Sequence, residues 1–459
     1  MRKLYILLVA IAATLCCKAQ VECQPGMLSQ LVTDHNITSL TVAGAMDARD
    51  FKFVAQKLDK LVSVDLSNVE IKAYYNLSSP VLGTEYDNPA GTVPTMAFAG
   101  KQALTTVLLP KGGTGVGTAA FAACPKLTTV VAGDALTSIG DYAFSGCNAL
   151  VSITLPASLS YVGQGAFSRC SALTTFTVSN AGTPASSLDI ADEAFLDCRA
   201  LSKFTASNVT TIGNSAFAGT AMTDVNLMHC SKLHSIGDYA FALSGTSRAI
   251  MPTSLKKLGK GIFIYSDALD QVTLPKEVET VGDYAFAGNS KLVAVDLGGA
   301  KEIGAYAFYD ARSLQDITIP QRTTYIGTRA MAGTTSLMRV MSPSKEMAML
   351  GDDVWEGVNQ HDVLLYVPIS AIDDYKSAQQ WREFSVLGCV RLGDVNADDV
   401  IDISDVNELL NIILTSDEGY PFQADANQDG VVDIADGNTI INFLLSVKEP
   451  QYIFVTPNE

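Results

Sequence analysis

Apolar residues recur along the middle of this chain at a nearly constant spacing. The plainest marker is the aromatic of an Ala-Phe or Ile-Phe pair, at Phe98, Phe121, Phe144, Phe167, Phe195, Phe217, Phe241, Phe263, Phe286 and Phe308, with Met331 and Trp355 continuing the series. Successive markers lie 22 to 24 residues apart, apart from one gap of 28. The unit between markers is patterned too: after Phe144 come Leu150, Ile153, Leu155, Leu159, Val162 and Ala166, with polar residues between them. Alternation such as Ile153-Thr154-Leu155 predicts a short strand with one face buried. A period of this length predicts a solenoid, in which each unit buries its apolar face only against its neighbours. With strands stacked at about 4.8 Å, twelve coils would form a rod or arc roughly 55 Å long.

The flanks break the period. Ile37 to Gly44 and Leu61 to Asn68 alternate as strands, and Asp47 to Lys60 carries Phe51, Val54 and Leu58 at helical spacing. An uncovered solenoid end is an adhesive sheet edge, so residues 20–95 are expected to form a helix-bearing N-terminal cap. Pro80 to Pro94 reads as an irregular insertion. The repeats run over 96–358, with Ser179 to Ser187 as a bulging loop. Residues 359–390 are expected to close the array with a strand at Leu364 to Pro368 and a helix over Tyr375 to Phe384. The glycine run Gly112 to Gly117 looks like a phosphate loop, but Gly117 falls in register with Gly140 and Gly163 and is read as a repeat turn.

The L-x-x-I-x-L core of the unit is a leucine-rich repeat, and the added I-G-x-x-A-F-x-x-C, as at Ile139 to Cys147, makes it resemble the BspA-like class of surface proteins. The resemblance implies a β-rich leucine-rich repeat solenoid of about 12 coils of 22–24 residues with capping segments. It also implies a bacterial surface protein whose repeats bind host or neighbouring-cell proteins. Residues 359–390 resemble the C-terminal cap of such proteins.

Charge adds a second region. Of 48 Asp and Glu against 31 Lys and Arg, twelve carboxylates and no Lys or Arg fall between Gly393 and Ser446. An acidic chain lacks the basic footprint that nucleic acid requires, and the local excess points to a cation site. Two loops there repeat D-x-N-x-D with an Asp seven residues on: Asp394, Asn396, Asp398 and Asp405, then Asp425, Asn427, Asp429 and Asp436. Oxygen ligands at loop positions 1, 3, 5 and 12, with a backbone carbonyl at 7, suit the hard Ca²⁺ ion. Val400 and Val431 would give the carbonyls, and Asp402 and Asp433, at position 9, would bind through water. Each loop leads into one amphipathic helix, with Val406, Leu409, Leu410, Ile413 and Leu414 in the first stripe and Ile440, Ile441, Leu444 and Leu445 in the second. A duplicated loop–helix unit offset by 31 residues, without the leading helix of an EF-hand, resembles a type I dockerin over 391–446. That implies a small α-helical domain with two EF-hand-type calcium loops, and a cohesin-like partner read near Ile403, Ser404, Ile434 and Ala435. Position 6 of the first loop is Asp399 where the second has Gly430, and φ > 0 there suits Gly, so the first site is expected to be the weaker. A domain this small needs its metal to fold. The tail, 447–459, contains an apolar run, Gln451 to Pro457, suited to clasp the module.

Arg2, Lys3 and the apolar run Leu4 to Leu15, with Ala19 as the cleavage position, read as a signal peptide over 1–19. Cys16 and Cys17 leave a lipoprotein as the alternative. No apolar run reaches the length of a membrane span, so the mature protein is expected to be exported, at the cell surface or outside the cell. Cys124, Cys147, Cys170 and Cys198 share one rung and are expected as buried free thiols, with inter-coil disulfides the alternative. His229, Cys230 and His234 form no metal site on strand-like backbone, where residues five apart face oppositely. No G-x-S-x-G, Walker loop or H-E-x-x-H occurs, and no enzyme activity is expected. The outward strand positions Thr154, Thr177, Lys203, Thr205, Asn226, Thr273 and Thr318 are candidates for contact with a protein ligand, although Thr equally suits any exposed strand. Tyr142, Tyr239, Tyr284 and Tyr306 form a stripe expected to pack at a corner. The reading is a non-catalytic adhesion or protein-binding protein with a calcium-dependent docking module. The alternative is a non-catalytic subunit of a surface polysaccharide-degrading complex; a hydrolase comes last.

Overall fold

A computed structural model describes residues 18–75, 88–179, 187–396, 400–415, 421–429, 431–445 and 452–454. Residues 1–17, where the signal peptide is expected, most of the Pro80 insertion and most of the Ser179 loop lie outside them. The chain opens with strand β1 (Lys18–Cys23), β2 (Ser39–Met46), helix α1 (Ala48–Lys57) and β3 (Ser63–Ile71). The three strands pair in parallel with one another, and β3 pairs onward with Thr106–Leu108 of the first marked coil. The N-terminal cap therefore continues the coil stack. Helix α1 covers it on one side, held by a capping box in which Asp47 accepts from Arg49 N and Asp50 closes back on Asp47 N at 3.0 Å.

Each marked coil repeats one circuit. A strand of three or four residues, such as Ser152–Leu155, pairs in parallel with its equivalent Thr175–Val178 one coil on. A two-residue strand, such as Tyr161–Val162, does the same on a second face. The register is residue for residue: Ile153 faces Phe176, which faces Phe204. Alternate exposed and buried positions along these strands bear out the binary pattern in the sequence.

The third side of the coil is built differently. Two residues before and two after every marker, the backbone is left-handed, from Met96 at φ +54° and Gly100 at +73° to Asp353 at +52° and Gly357 at +77°. In this conformation the N–H groups of Tyr142, Phe144 and Gly146 donate to Gln164, Ala166 and Ser168 carbonyls of the next coil at 2.7 to 2.9 Å. Inter-coil hydrogen bonds thus continue where strand geometry stops, at a conformational cost wherever the residue is not glycine. Some Gly positions here answer a neighbouring ring. A Cβ on Gly165 would lie 2.5 Å from the Tyr142 ring, and one on Gly261 2.5 Å from the Tyr239 ring. The tyrosine stripe therefore packs at the corner, with Tyr284 and Tyr306 stacked at 4.9 Å.

Inside, the marker rings from Phe98 to Phe308 form one stack, with successive centroids 5.0 to 6.0 Å apart. Cys124, Cys147, Cys170 and Cys198 are free and buried. Each thiol donates to the carbonyl of the preceding coil's Phe at 3.0 to 3.2 Å, so they serve as small buried donors rather than disulfides. Burial pushes the Cys124 thiol up to about 11 and raises Cys147 further, which keeps both protonated. In most coils a glycine follows the second short strand and lets coils approach: a Cβ on Gly213 would lie 2.4 Å from Asp192 N.

The array ends with strand β4 (Leu364–Pro368), helix α2 (Ile372–Ser377) and strand β5 (Ser385–Arg391), which pairs in parallel with β4. The closing helix expected over Tyr375 to Phe384 lies earlier and is shorter. Ala378 is extended and ends the helix; beyond it Gln380, at φ +66°, accepts from Val354 N at 2.9 Å and donates to Gly351 O at 2.8 Å through its side chain. Trp381 and Phe384 are buried against Trp355, closing the core on the last marker. Helices α3 (Ile403–Thr415) and α4 (Ile434–Leu444) then pack on each other around a separate core of Val395, Leu409, Ala424, Ala426, Ile440 and Phe443. Strand β6 (Tyr452–Phe454) pairs antiparallel with β5. The tail was expected to clasp the helical module; its described residues close the solenoid sheet instead. Among the described residues no helix is long and apolar enough to cross a membrane.

Candidate calcium loops and docking faces

The two acidic loops share one hydrogen-bond plan. In the first, Asp405 Oδ1 accepts from Asn396 N at 3.2 Å and Oδ2 from Asp402 N at 2.8 Å, while Asp402 Oδ1 accepts from Ser404 N at 2.6 Å. In the second, Asp436 Oδ1 accepts from Asn427 N at 3.0 Å and Oδ2 from Asp433 N at 2.9 Å, while Asp433 Oδ1 accepts from Ala435 N at 2.7 Å. The position-12 carboxylate therefore tethers its loop and forms half of a capping box on its helix. The second loop tightens through Asp429, whose N–H donates to Asn427 Oδ1 at 2.8 Å and whose Oδ1 accepts from Val431 N at 2.9 Å.

Asp394, Asp405 and Asp436 are buried, Asp425 and Asn427 half-buried, and Asn396, Val400, Asp402, Asp429, Val431 and Asp433 exposed. Asp398, Asp399 and Gly430 lie outside the described residues. Among the described residues no three His, Cys, Asp or Glu side chains form a ready metal cluster, which also leaves His229, Cys230 and His234 without one. The chemistry of the second loop nevertheless fits a hard cation. Burial raises the Asp436 carboxyl, the N–H groups of Asp433 and Asn427 pull it back, and Asp425 and Asp429 raise it again by repulsion. No Lys, Arg or His between Gly393 and Ser446 relieves that repulsion from within the module. A divalent ion bound by oxygens would relieve it. Asp402, by contrast, is held low by the Ser404 hydroxyl and then by the Ser404 N–H.

The helices face outward more than the sequence stripes suggest. Leu409, Ile440 and Phe443 are buried, whereas Ile403, Leu410 and Leu414 on α3 and Ile434, Ile441 and Leu445 on or just past α4 are exposed. These two sets correspond at the 31-residue offset. The module thus carries two related apolar faces, each starting at a position-10 residue, with Ser404 and Ala435 beside them half-buried. Leu410, Leu414, Ile441 and Leu445 belong to the helix stripes in the sequence, yet they face outward. Leu409 and Ile440, both buried, correspond at the same offset, so the repeat alone does not separate outer from core positions.

On the solenoid, Thr154, Lys203, Thr205, Asn226, Thr273 and Thr318 point to solvent and Thr177 is half-buried. Thr154, Thr177 and Thr205 form one inter-coil row. Asn226 and Thr273 lie in register through Ile250. The neighbouring row carries ion pairs between coils, Arg248 to Asp224 at 3.0 Å and Arg339 to Asp316 at 2.9 Å. Thr105, Thr128 and Thr174 place their hydroxyls on the carbonyl of the coil before, at 3.0 to 3.1 Å. Part of the face's Thr content therefore serves the fold.

The model of the BspA type leucine-rich repeat region matches residues 68–187, 181–293 and 301–376, and that of the dockerin type I domain matches 392–445. Dockerin type I domains bind calcium. No curated protein matches this chain. Solved structures similar to it include a leucine-rich repeat protein from Bacteroides ovatus, 22% identical, covering 67% of this chain and 89% of that one at a TM-score of 0.36. Another is the pneumococcal vaccine antigen PcpA, 18% identical over 63% of this chain and 82% of that one at 0.39. A third is a leucine-rich repeat protein from Eubacterium ventriosum, 16% identical over 70% and 90% at 0.38. The chain belongs to the BspA-type leucine-rich repeat family and carries a C-terminal type I dockerin domain.

Proposed function

We propose that this is an exported, non-catalytic cell-surface or extracellular protein that joins two binding surfaces. The solenoid's polar sheet face takes a protein ligand, in adhesion to a host or between cells, and the dockerin module docks a cohesin-like partner in a calcium-dependent way. The observation that carries the reading is the pair of matching acidic loops, each tethered by its position-12 Asp and each leading into a helix with an exposed apolar face. Two calcium ions are bound, by Asp394, Asn396, Asp398, Val400, Asp402 and Asp405, and by Asp425, Asn427, Asp429, Val431, Asp433 and Asp436. The first site is the weaker, because Asp399 replaces the glycine of position 6. The partner contacts Ile403, Ser404, Ile434 and Ala435 and, beyond them, Leu410, Leu414, Ile441 and Leu445.

The domain limits follow: signal peptide 1–19, N-terminal cap 20–95, repeats 96–358, C-terminal cap 359–390, module 391–446 and tail 447–459. Because β1 starts at Lys18, cleavage after Ala19 would leave the mature chain beginning inside that strand. The test is capture by the chain from Gln20, with and without residues 393–459, from host matrix proteins and from the producing cell's envelope extract. Each is run in calcium and in chelator. A matrix protein held by both chains regardless of calcium supports the solenoid face. An envelope protein held only by the full chain in calcium supports docking and, if it belongs to a polysaccharide-degrading assembly, the alternative reading. Failure of both pools contradicts the proposal.

A further inference from the structure

The acidic module is inserted between two strands that pair with each other. Strand β5 ends at Arg391, β6 starts at Tyr452, and Arg391 faces Tyr452 across the antiparallel pair. The two ends of an insertion of some sixty residues are therefore held side by side. The module sits hard against the end of β5: Gly393 N donates to Gln423 O at 2.8 Å, and a Cβ on Gly393 would lie 3.0 Å from the Phe443 ring and 3.3 Å from Ile440. Side chains of α4 thus touch the residue two beyond β5. From Leu445, seven residues reach Tyr452, a span of at most about 25 Å.

Strand β6 offers only three register positions, Cys389 with Phe454, Val390 with Ile453 and Arg391 with Tyr452. So short a strand does not hold an edge unaided. What favours it is the folded module, which keeps its tether short; without that fold the pair would have to close a loop of about sixty residues. The module's core is small, with six buried apolar residues among the described ones. Such a domain depends on bound metal for its fold.

We propose that calcium in the acidic loops holds β6 on β5, so that loss of calcium both unfolds the module and uncovers the last strand edge of the solenoid. This rests on the calcium reading above. The uncovered segment, Ser385–Arg391, is rich in apolar residues, and an open strand edge is a template for pairing with another chain. Calcium then sets whether the solenoid's C-terminal end is closed.

The test is hydrogen exchange by mass spectrometry on the full chain from Gln20, in calcium and in chelator, following α3, α4, residues 389–391 and 452–454, and the mid-solenoid strands. The expected result is that chelator raises exchange about tenfold or more in α3, α4, 389–391 and 452–454 together, with the mid-solenoid strands unchanged. Loss of protection in α3 and α4 with 389–391 and 452–454 still protected overturns the inference and leaves the calcium reading standing. Helices indifferent to chelator remove the calcium reading and the inference with it. A chain ending at Leu445 supplies the control. Residues 389–391 should exchange fast even in calcium while α3 and α4 keep their calcium-dependent protection. Undiminished protection of 389–391 in that chain would show that β6 does not close the edge.

Discussion

The solenoid and the acidic module are two answers to one problem, how a short unit becomes stable. A solenoid coil has no core of its own and acquires one by repetition. Phe167 is fully buried because Phe144 and Phe195 stack on its two faces, at 5.3 and 5.4 Å. The module has two units only, and its core stops at residues such as Leu409, Ile440 and Phe443. Its buried carboxylates, Asp394, Asp405 and Asp436, are a burden that repetition cannot remove. The first region is stabilised by contacts between copies. On the proposed calcium reading the second needs a ligand, and the same need makes it responsive.

The largest expected effect is on the module. Asp436→Ala removes the carboxylate that tethers the second loop and caps α4, and should abolish calcium-induced helix formation there while leaving solenoid stability unchanged. Far-UV circular dichroism during calcium titration measures it, and undiminished induced helicity would break the comparison. In the solenoid, Phe167→Ala should cost about 3–5 kcal/mol in urea unfolding without altering the calcium response. Gly213→Val, driving a side chain onto Asp192 N, should cost about 1–3 kcal/mol by forcing two coils apart. Least affected should be Arg339→Ala, which removes an exposed ion pair with Asp316 and should cost under about 1 kcal/mol. A large loss there would mean that the sheet face carries stability as well as binding.

The two regions also differed in how far the sequence revealed them. The marker spacing located the twelve marked coils, because a buried ring stack tolerates little change of period, but not the further turns that β1 to β3 and β4 to β5 add at the two ends. It did not reveal the two left-handed positions per coil, since Tyr142, Glu193, Arg329 and Asp353 occupy them as well as glycine. Tyr142, Glu193 and Arg329 are held there by inter-coil hydrogen bonds, which local sequence preference does not encode. In the module, the oxygen-bearing residues of each loop were legible from spacing, but the inner and outer residues of its helices were not. Leu409 and Leu410 read alike in a helical stripe, yet only Leu409 reaches α4 and is buried. The closing helix was misplaced because the chain leaves the helix after Ser377: Tyr375 lies on α2, whereas Trp381 and Phe384 follow the break and pack against Trp355. The pairing of β6 with β5 joins segments some sixty residues apart and leaves no local trace.

The central claim is that one chain holds a calcium-indifferent solenoid and a calcium-dependent module. Differential scanning calorimetry of the chain from Gln20 over a range of calcium concentrations tests it most directly. Two transitions are predicted, the smaller rising in temperature with calcium as ligand linkage requires and the larger fixed. A single transition that moves as a whole, or two that both ignore calcium, would contradict the account.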